Sequence, residues 1–216
     1  MSLTVASDRT WAASLTLVKK ATSGHAVDGL FGRKEVRGGS LSSLPKWVSV
    51  VQKMKRQKST LVDCALNKPD CPPEARQHWD RIINEAKGLS KAGKIRAVHK
   101  YFNAWPYKLD IANYHVNDYW ATPMEFMRRS GDCEDYSIAK FYALLQLGFK
   151  NDDMRIVAVV DMIRHRGHAV LAVKYKGKTL ILDNTTPLVN EDIKFKPLYR
   201  ASYSVNETTR WLHLPK

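Results

Sequence analysis

Near the C-terminal end, two segments with the composition of β-strands are separated by only two residues. The segments HAVLAVKY and KTLILDN flank Lys176-Gly177, a pair that suits a tight hairpin turn. With that turn, counting back along both strands places His168 diagonal to Asp183 on one face of the sheet. A slip of one residue would move the two side chains to opposite faces. The pattern therefore predicts a β-hairpin that brings an imidazole within reach of a carboxylate.

Helical periodicity precedes this hairpin along the chain. A well-defined apolar run begins after Asp132 and stops before Gly148, a residue type that commonly ends helices. A strand-like segment, RIVAVVDM, lies between that run and the hairpin. Helices followed by antiparallel strands predict an α+β fold, with the helices packed on an antiparallel sheet. The other predicted helices cover residues 46–60, 74–88, 91–104 and 123–130.

The first 45 residues differ from the rest of the chain. They are rich in Gly and Ser and have few periodic stretches, apart from a short helical pattern around residues 9–20. We predict an N-terminal arm with a short helix over 1–45, with loop structure after that helix, and one domain over 46–216. The opening segment lacks the apolar core of a signal peptide, and no apolar run is long enough to span a membrane.

The chain is strongly basic, with 35 Lys and Arg residues against 21 Asp and Glu residues and a formal net charge of +14. Its densest basic run, at residues 53–58, falls within the predicted helix over 46–60 and fits a solvated helix face. Aromatic and basic residues do not alternate in the way that is typical of surfaces on which bases stack. We therefore expect no nucleic acid partner.

The three cysteines have different surroundings in the sequence. Cys64 and Cys71 bracket a short turn-rich loop, which fits either a disulfide in an oxidising compartment or two thiols in a reducing one. Cys133 stands alone in GDCEDYS, directly before the apolar run IAKFYALLQLGF. If the first two cysteines pair, Cys133 is a single free thiol at the start of a helix.

Cys133 has the setting of a catalytic nucleophile. The start of a helix presents free N–H groups and the positive end of the helix dipole, and both favour a thiolate. An imidazolium at His168 would stabilise the thiolate and protonate a leaving amine, while Asp183 would orient the imidazole. The Cys133 backbone N–H is a first candidate oxyanion donor, and the Trp120 indole, in the aromatic segment 103–123, is a second.

Each of these residues also has a non-catalytic explanation. A cysteine at a helix start is commonly a small buried residue, and an aspartate after a strand commonly forms a turn. His165 lies close to His168 in the sequence and is a competing imidazole. The acids of GDCEDYS raise a further question, because negative charges beside Cys133 disfavour its thiolate.

Several segments together resemble one known family. DYWATPMEF, GDCEDYSIAKF, HAVLAV, LILDN and YSVNETTRWLH are similar to segments of the bacterial transglutaminase-like cysteine proteinases of the LapG type. The likeness extends from about Leu30 to the C-terminus. The resemblance implies a papain-like or transglutaminase-like core with a Cys-His-Asp triad, whose members in this sequence are Cys133, His168 and Asp183.

The resemblance also implies a cofactor. Members of this family require calcium, which is bound by the carboxylates beside the catalytic cysteine; here these are Asp132 and Glu134, with Asp135 as a further candidate. Calcium takes about six to eight oxygen ligands in proteins, so other groups must complete the site. Acids also occur at helix N-termini without any metal, and that explanation remains open.

Substrate, partner and location follow from the same resemblance. Family members cut the N-terminal region of large surface adhesins at a di-alanine site in the periplasm, which releases the adhesin and disperses biofilm. An inner-membrane receptor for cyclic di-GMP sequesters them. The resemblance therefore implies a calcium-dependent periplasmic cysteine endopeptidase with these partners. Two other functions remain open: a transglutaminase or amide acyltransferase with the same triad, and a non-catalytic basic binding module.

Overall fold

The helical elements agree well with the sequence pattern. The computed structural model describes residues 27–64 and 73–215, in which the α-helices are α1 (Pro45–Cys64), α2 (Pro73–Lys87), α3 (Lys91–Asn103), α4 (Asp110–Tyr114), α5 (Pro123–Arg129) and α6 (Cys133–Gln146). All except α4 were predicted to within a few residues; α4 is a short helix inside the aromatic segment 103–123. Among the described residues, no helix combines the length and the apolar character needed to cross a membrane.

The strands form one antiparallel sheet. They are β1 (Val27–Asp28), β2 (Lys34–Arg37), β3 (Met154–Asp161), β4 (Arg166–Tyr175), β5 (Lys178–Leu182), β6 (Asn190–Glu191), β7 (Tyr199–Val205) and β8 (Arg210–His213). Their order across the sheet is β1-β2-β8-β7-β3-β4-β5-β6, and every neighbouring pair is antiparallel. Helices packed on an antiparallel sheet confirm the predicted α+β class.

The β4–β5 hairpin has the predicted register. Tyr175 pairs with Lys178, and the pairing continues without a shift to Leu171 and Leu182. Lys176 and the following glycine have φ angles of 49° and 73°, and a two-residue turn with positive φ at both positions matches the twist of the strands it joins. The hairpin therefore ends with Asp183 directly after β5 and on the same side as His168.

The prediction of loop structure in the N-terminal segment is wrong at two places. Residues 27–28 and 34–37 form β1 and β2, and β2 pairs with β8 through Val36 and Leu212. These strands are short, and their partner lies at the other end of the chain, so no local alternation or turn indicates them. The predicted helix around 9–20 lies outside the described residues. The same holds for the pairing of Cys64 with Cys71, whose side chains are not described.

Two apolar clusters lie on opposite faces of the sheet. Alternate residues of β3 and β4 belong to different clusters, as a pleated strand requires. Helix α6 packs between the sheet and α3, and its side chains are buried from Cys133 to Leu144. A helix that is buried on all sides is held in place by packing rather than by one face. The start of α6 is therefore fixed against β4, where His168 lies.

Candidate active site

The start of α6 is held by a carboxylate and by a glycine. Asp132 occupies the N-cap position and Cys133 is the first helical residue. The Asp135 carboxylate accepts hydrogen bonds from the backbone N–H of Asp132 at 3.3 Å and of Ala121 at 2.7 Å. A Cβ atom at Gly131 would overlap this carboxylate, so only glycine fits there. Asp135 thus joins the start of α6 to the end of the aromatic segment 103–123.

The imidazole and the carboxylate predicted to meet across the hairpin are in contact. His168 Nε2 lies 2.9 Å from Asp183 Oδ1, which leaves Nδ1 as the ring nitrogen available to a reacting group. Both residues are buried. The Asp183 carboxylate also accepts hydrogen bonds from the Thr185 backbone N–H and the Tyr199 hydroxyl. Burial acts to raise the pKa of Asp183, but these donors and the His168 charge hold it well below its usual range.

Tyr199 is a site residue that the sequence analysis missed. It lies on β7, its ring is stacked on Phe195, and its centroid is 5.6 Å from that of His168. Its hydroxyl donates to the second oxygen of Asp183, Oδ2, so each carboxylate oxygen has its own donor. The available signal was only that a polar aromatic residue starts a strand, which is too common to single out Tyr199.

The Cys133 sulfur lies against the strand that carries the imidazole. The thiol donates to Glu134 Oε2 at 3.1 Å. The backbone N–H of Ala169, the residue after His168, acts to lower the pKa of the thiol. Burial is the main cause that raises the pKa of Cys133 well above its ordinary value, and the charges of Glu134 and Asp132 add to it. The acids therefore do oppose the thiolate, as their charges suggest.

A second set of acids approaches this cluster from the aromatic segment. Asp110 and Asp118 have carboxylate oxygens within 4.8 Å of a Glu134 oxygen. An Asp110 oxygen also lies within 4.8 Å of carboxylate oxygens of Asp132 and Asp135. The sequence analysis missed Asp110 and Asp118. The signal that was available is their position in the long aromatic segment 103–123, since long irregular segments in compact domains are often functional.

The donor set fits a hard divalent cation. One oxygen each of Asp110, Asp118 and Asp132 is buried and has no hydrogen-bond partner among the described residues. Burial, with contributions from nearby carboxylates, raises the pKa of Asp110, Asp132 and Glu134. Buried carboxylates without donors are costly unless a cation neutralises them, and calcium accepts such oxygens as ligands. The predicted ligands Asp132, Glu134 and Asp135 thus belong to a wider acidic cluster.

Trp120 and His165 differ in their relation to the site. Trp120 is buried, with 7% of its surface exposed, and its indole N–H has no hydrogen-bond partner among the described residues. It immediately precedes Ala121, which is bonded to Asp135. His165 is exposed in the turn between β3 and β4, with a φ angle of 52°. The buried imidazole at this end of β4 is therefore His168.

Comparisons with known proteins find one family and several similar solved structures. The model of the bacterial transglutaminase-like cysteine proteinase family matches residues 59–216. Legionella pneumophila LapG is similar to this chain at 26% identity and a TM-score of 0.57, with 75% of this chain and 87% of that chain covered. Its calcium-bound structure gives 25% identity, a TM-score of 0.58 and the same coverage. Its EGTA-treated structure gives 26%, 0.57, and coverage of 75% and 84%. No curated protein sequence matches the chain.

Proposed function

The chain belongs to the bacterial transglutaminase-like cysteine proteinase family, and on that basis we propose that it is a calcium-dependent cysteine endopeptidase with a Cys133-His168-Asp183 triad. The observation that carries the proposal is the hydrogen bond between the His168 imidazole and the buried Asp183 carboxylate. His168 lies on β4, and α6, whose first residue is Cys133, packs against that strand. Nucleophile, base and orienting group are thus supplied by one helix start and one hairpin.

The triad residues perform an acyl transfer. The Cys133 thiol gives its proton to His168 Nδ1, and the sulfur attacks the scissile carbonyl carbon to form a tetrahedral intermediate. The C–N bond then breaks, the imidazolium protonates the leaving amine, and a thioester remains on Cys133. His168 next takes a proton from water, whose oxygen attacks the thioester carbon. The C–S bond then breaks, the carboxylic acid leaves, and the imidazolium returns the proton to the Cys133 sulfur. Asp183 keeps Nε2 occupied throughout, so that Nδ1 faces the reaction.

The acidic cluster is the proposed calcium site. Asp132, Glu134 and Asp135 from the start of α6, with Asp110 and Asp118 from the aromatic segment, would hold the ion. When bound, calcium supplies positive charge that offsets the carboxylates beside the nucleophile. Without that offset, the same carboxylates oppose ionisation of Cys133. The calcium-bound form of the similar LapG structure supports the proposal.

The role of Trp120 as an oxyanion donor can be tested by a single substitution. Trp120→Phe removes the unpartnered indole N–H while keeping an aromatic ring beside Trp47, whose centroid is 6.2 Å away. We expect kcat to fall about 100-fold, because loss of one oxyanion donor commonly costs that much. Steady-state peptide hydrolysis measures the change.

Trp47→Phe is the matched control for this prediction. The Trp47 indole already donates to the Asn206 carbonyl at 2.8 Å, so its loss affects stability rather than kcat. Equal kcat values for Trp120→Phe and the unmodified protein would show that another group stabilises the oxyanion.

Family membership supports a substrate and a partner for this endopeptidase. We propose that it acts in the periplasm, where it cuts the N-terminal region of a large surface adhesin at a di-alanine site and so promotes release of the adhesin and biofilm dispersal. An inner-membrane cyclic di-GMP receptor that sequesters the enzyme is the proposed regulator. Similarity to LapG over most of both chains supports this assignment.

Cleavage of a defined adhesin fragment tests the proposed function. We expect an N-terminal adhesin fragment that contains a di-alanine to be cut once in calcium, and to remain intact after chelation or when the two alanines are replaced by bulky residues. Mass spectrometry of the products locates the cut. Incorporation of an added primary amine in place of hydrolysis would instead show an acyltransferase. Absence of any reaction with peptides or amines would favour the non-catalytic binding module.

A further inference from the structure

A lysine is buried in the helix that carries the nucleophile. Lys140 lies about two helical turns beyond Cys133 on α6 and has 0% of its surface exposed. Among the described residues, its ammonium has no hydrogen-bond partner, and it lies over the Tyr136 ring, 5.7 Å from the ring centroid. Burial of an ammonium without a partner is energetically expensive, and a buried group of this kind is a candidate for a functional role. An apolar residue would pack there at lower cost.

Helix α3 packs against α6 and carries two polar residues that bind the turn after β5. His99 Nε2 is 3.0 Å from the Thr186 carbonyl, and Asn103 Nδ2 donates to the carbonyls of Asp183 and Thr186 at 3.0 Å and 2.9 Å. The two side chains therefore hold the turn that follows β5. That turn begins with the carboxylate that contacts His168.

The unpartnered atoms around the turn are complementary. Within the described part of the chain, His99 Nδ1 and Asn103 Oδ1 are buried acceptors without donors, whereas Lys140 Nζ has three N–H donors and no acceptor. Burial, followed by the charge of Lys140, lowers the pKa of His99 to about 4, so this imidazole is neutral and Nδ1 keeps its lone pair. Direct hydrogen bonds or one internal water would satisfy all three groups.

The charge of Lys140 acts on the same carboxylate. Burial lowers the pKa of Lys140 to about 7, and the negative charge of Asp183 acts in the opposite sense and favours the ammonium. Asp183 also acts on His99 in the same sense. The charges and dipoles on the helix side of Asp183 thus act together. They belong to Lys140 on α6, to His99 and Asn103 on α3, and to the turn after β5.

We propose that Lys140 is a positioning residue for the triad, which with His99 and Asn103 fixes the turn that carries Asp183 and stabilises its negative charge. This role rests on the proposed protease function, because it assigns Lys140 to the orientation of His168. Lys140 does not touch the substrate. Its effect reaches the chemistry through the Asp183–His168 hydrogen bond.

Lys140→Met tests the proposal, because methionine fills similar space without the charge. We expect kcat to fall about tenfold to a hundredfold with KM little changed, since misplacement of a catalytic group by a fraction of an ångström has effects of that size. The Tm should stay the same or rise, because a buried unpaired charge is removed. NMR of ¹⁵N-labelled histidine should show a changed His168 ring signal, assigned with His168→Gln.

Tyr142→Phe is the matched control on the same helix. It removes a buried polar group that packs beside Trp47, away from the turn after β5, and should leave both kcat and the His168 signal unchanged. If Lys140→Met does not fold, Lys140→Gln keeps a polar side chain, one atom shorter than lysine, and tests the loss of charge. An unchanged kcat and an unchanged His168 signal would overturn the proposal. Because the NMR signal needs no substrate, it tests Lys140 even if no peptide is cleaved.

Discussion

Replacing Cys133 by alanine is expected to lower kcat/KM for peptide cleavage by about 10⁴-fold or more. In the proposed mechanism the sulfur forms the thioester, and removal of a triad nucleophile commonly has effects of this size or larger. The fold should survive, because Cys133 is a small side chain at the first position of α6 and alanine retains good helix propensity. Hydrolysis of the adhesin fragment, followed by mass spectrometry, measures the loss.

Ser137→Ala is the matched control for this substitution. It removes a small buried polar group one turn further along α6, where the hydroxyl donates to the Cys133 carbonyl at 3.0 Å. We expect a modest loss of stability and nearly unchanged cleavage. If Cys133→Ala cleaved the fragment at the normal rate, Cys133 would not be the nucleophile, and the non-catalytic explanation for GDCEDYS would stand.

The local parts of the site could be predicted from the sequence. The register of the β4–β5 hairpin depends on a two-residue turn and on alternation in the adjoining strands, so His168 and Asp183 were assigned together. The start of α6 is similarly local, because Asp132 and Gly148 mark its two ends. In both cases residues that are near in the chain determine the geometry.

The parts that depend on distant segments were not accessible in this way. Asp110 and Asp118 reach Glu134 through a segment with no periodicity, and so no spacing rule links them to the nucleophile's helix. The sequence did not predict strands β1 and β2 for the same reason, because β2 pairs with β8 at the far end of the chain. Tyr199 belongs to the site only because β7 lies beside β3 in the sheet.

The acids beside Cys133 now have a structural explanation. Taken alone, Asp132 and Glu134 disfavour ionisation of the thiol, which is the difficulty that GDCEDYS presents. With Asp110 and Asp118 they form a buried set of oxygens that lacks enough donors. A cluster of this kind is stable when a cation is shared among its members. The proposed metal thus accounts for the charges that a catalytic cysteine would otherwise avoid.

Calcium is expected to raise the Tm of the chelator-treated protein by about 5–10 °C. Ligand at one hundred times Kd stabilises the folded state by about 2.7 kcal/mol, and each kcal/mol shifts Tm by about 2–4 °C in a domain of this size. Asp118→Asn should abolish most of this Tm shift. It should also lower the rate of cleavage at least tenfold, because it removes a proposed calcium ligand. Thermal unfolding with and without calcium measures the first effect, and fragment hydrolysis the second.

Asp118 is the informative ligand because it is remote in sequence from Cys133 and reaches the cluster from the aromatic segment. A loss of both calcium stabilisation and cleavage in Asp118→Asn would therefore act through the metal and not through a changed helix start. Asp152→Asn, at an exposed acid before β3, is the control and should keep both properties. If Asp118→Asn kept the full calcium shift, Asp118 would not be a ligand. If the chelated protein cleaved at the normal rate, the carboxylates beside Cys133 would not need a cation for catalysis.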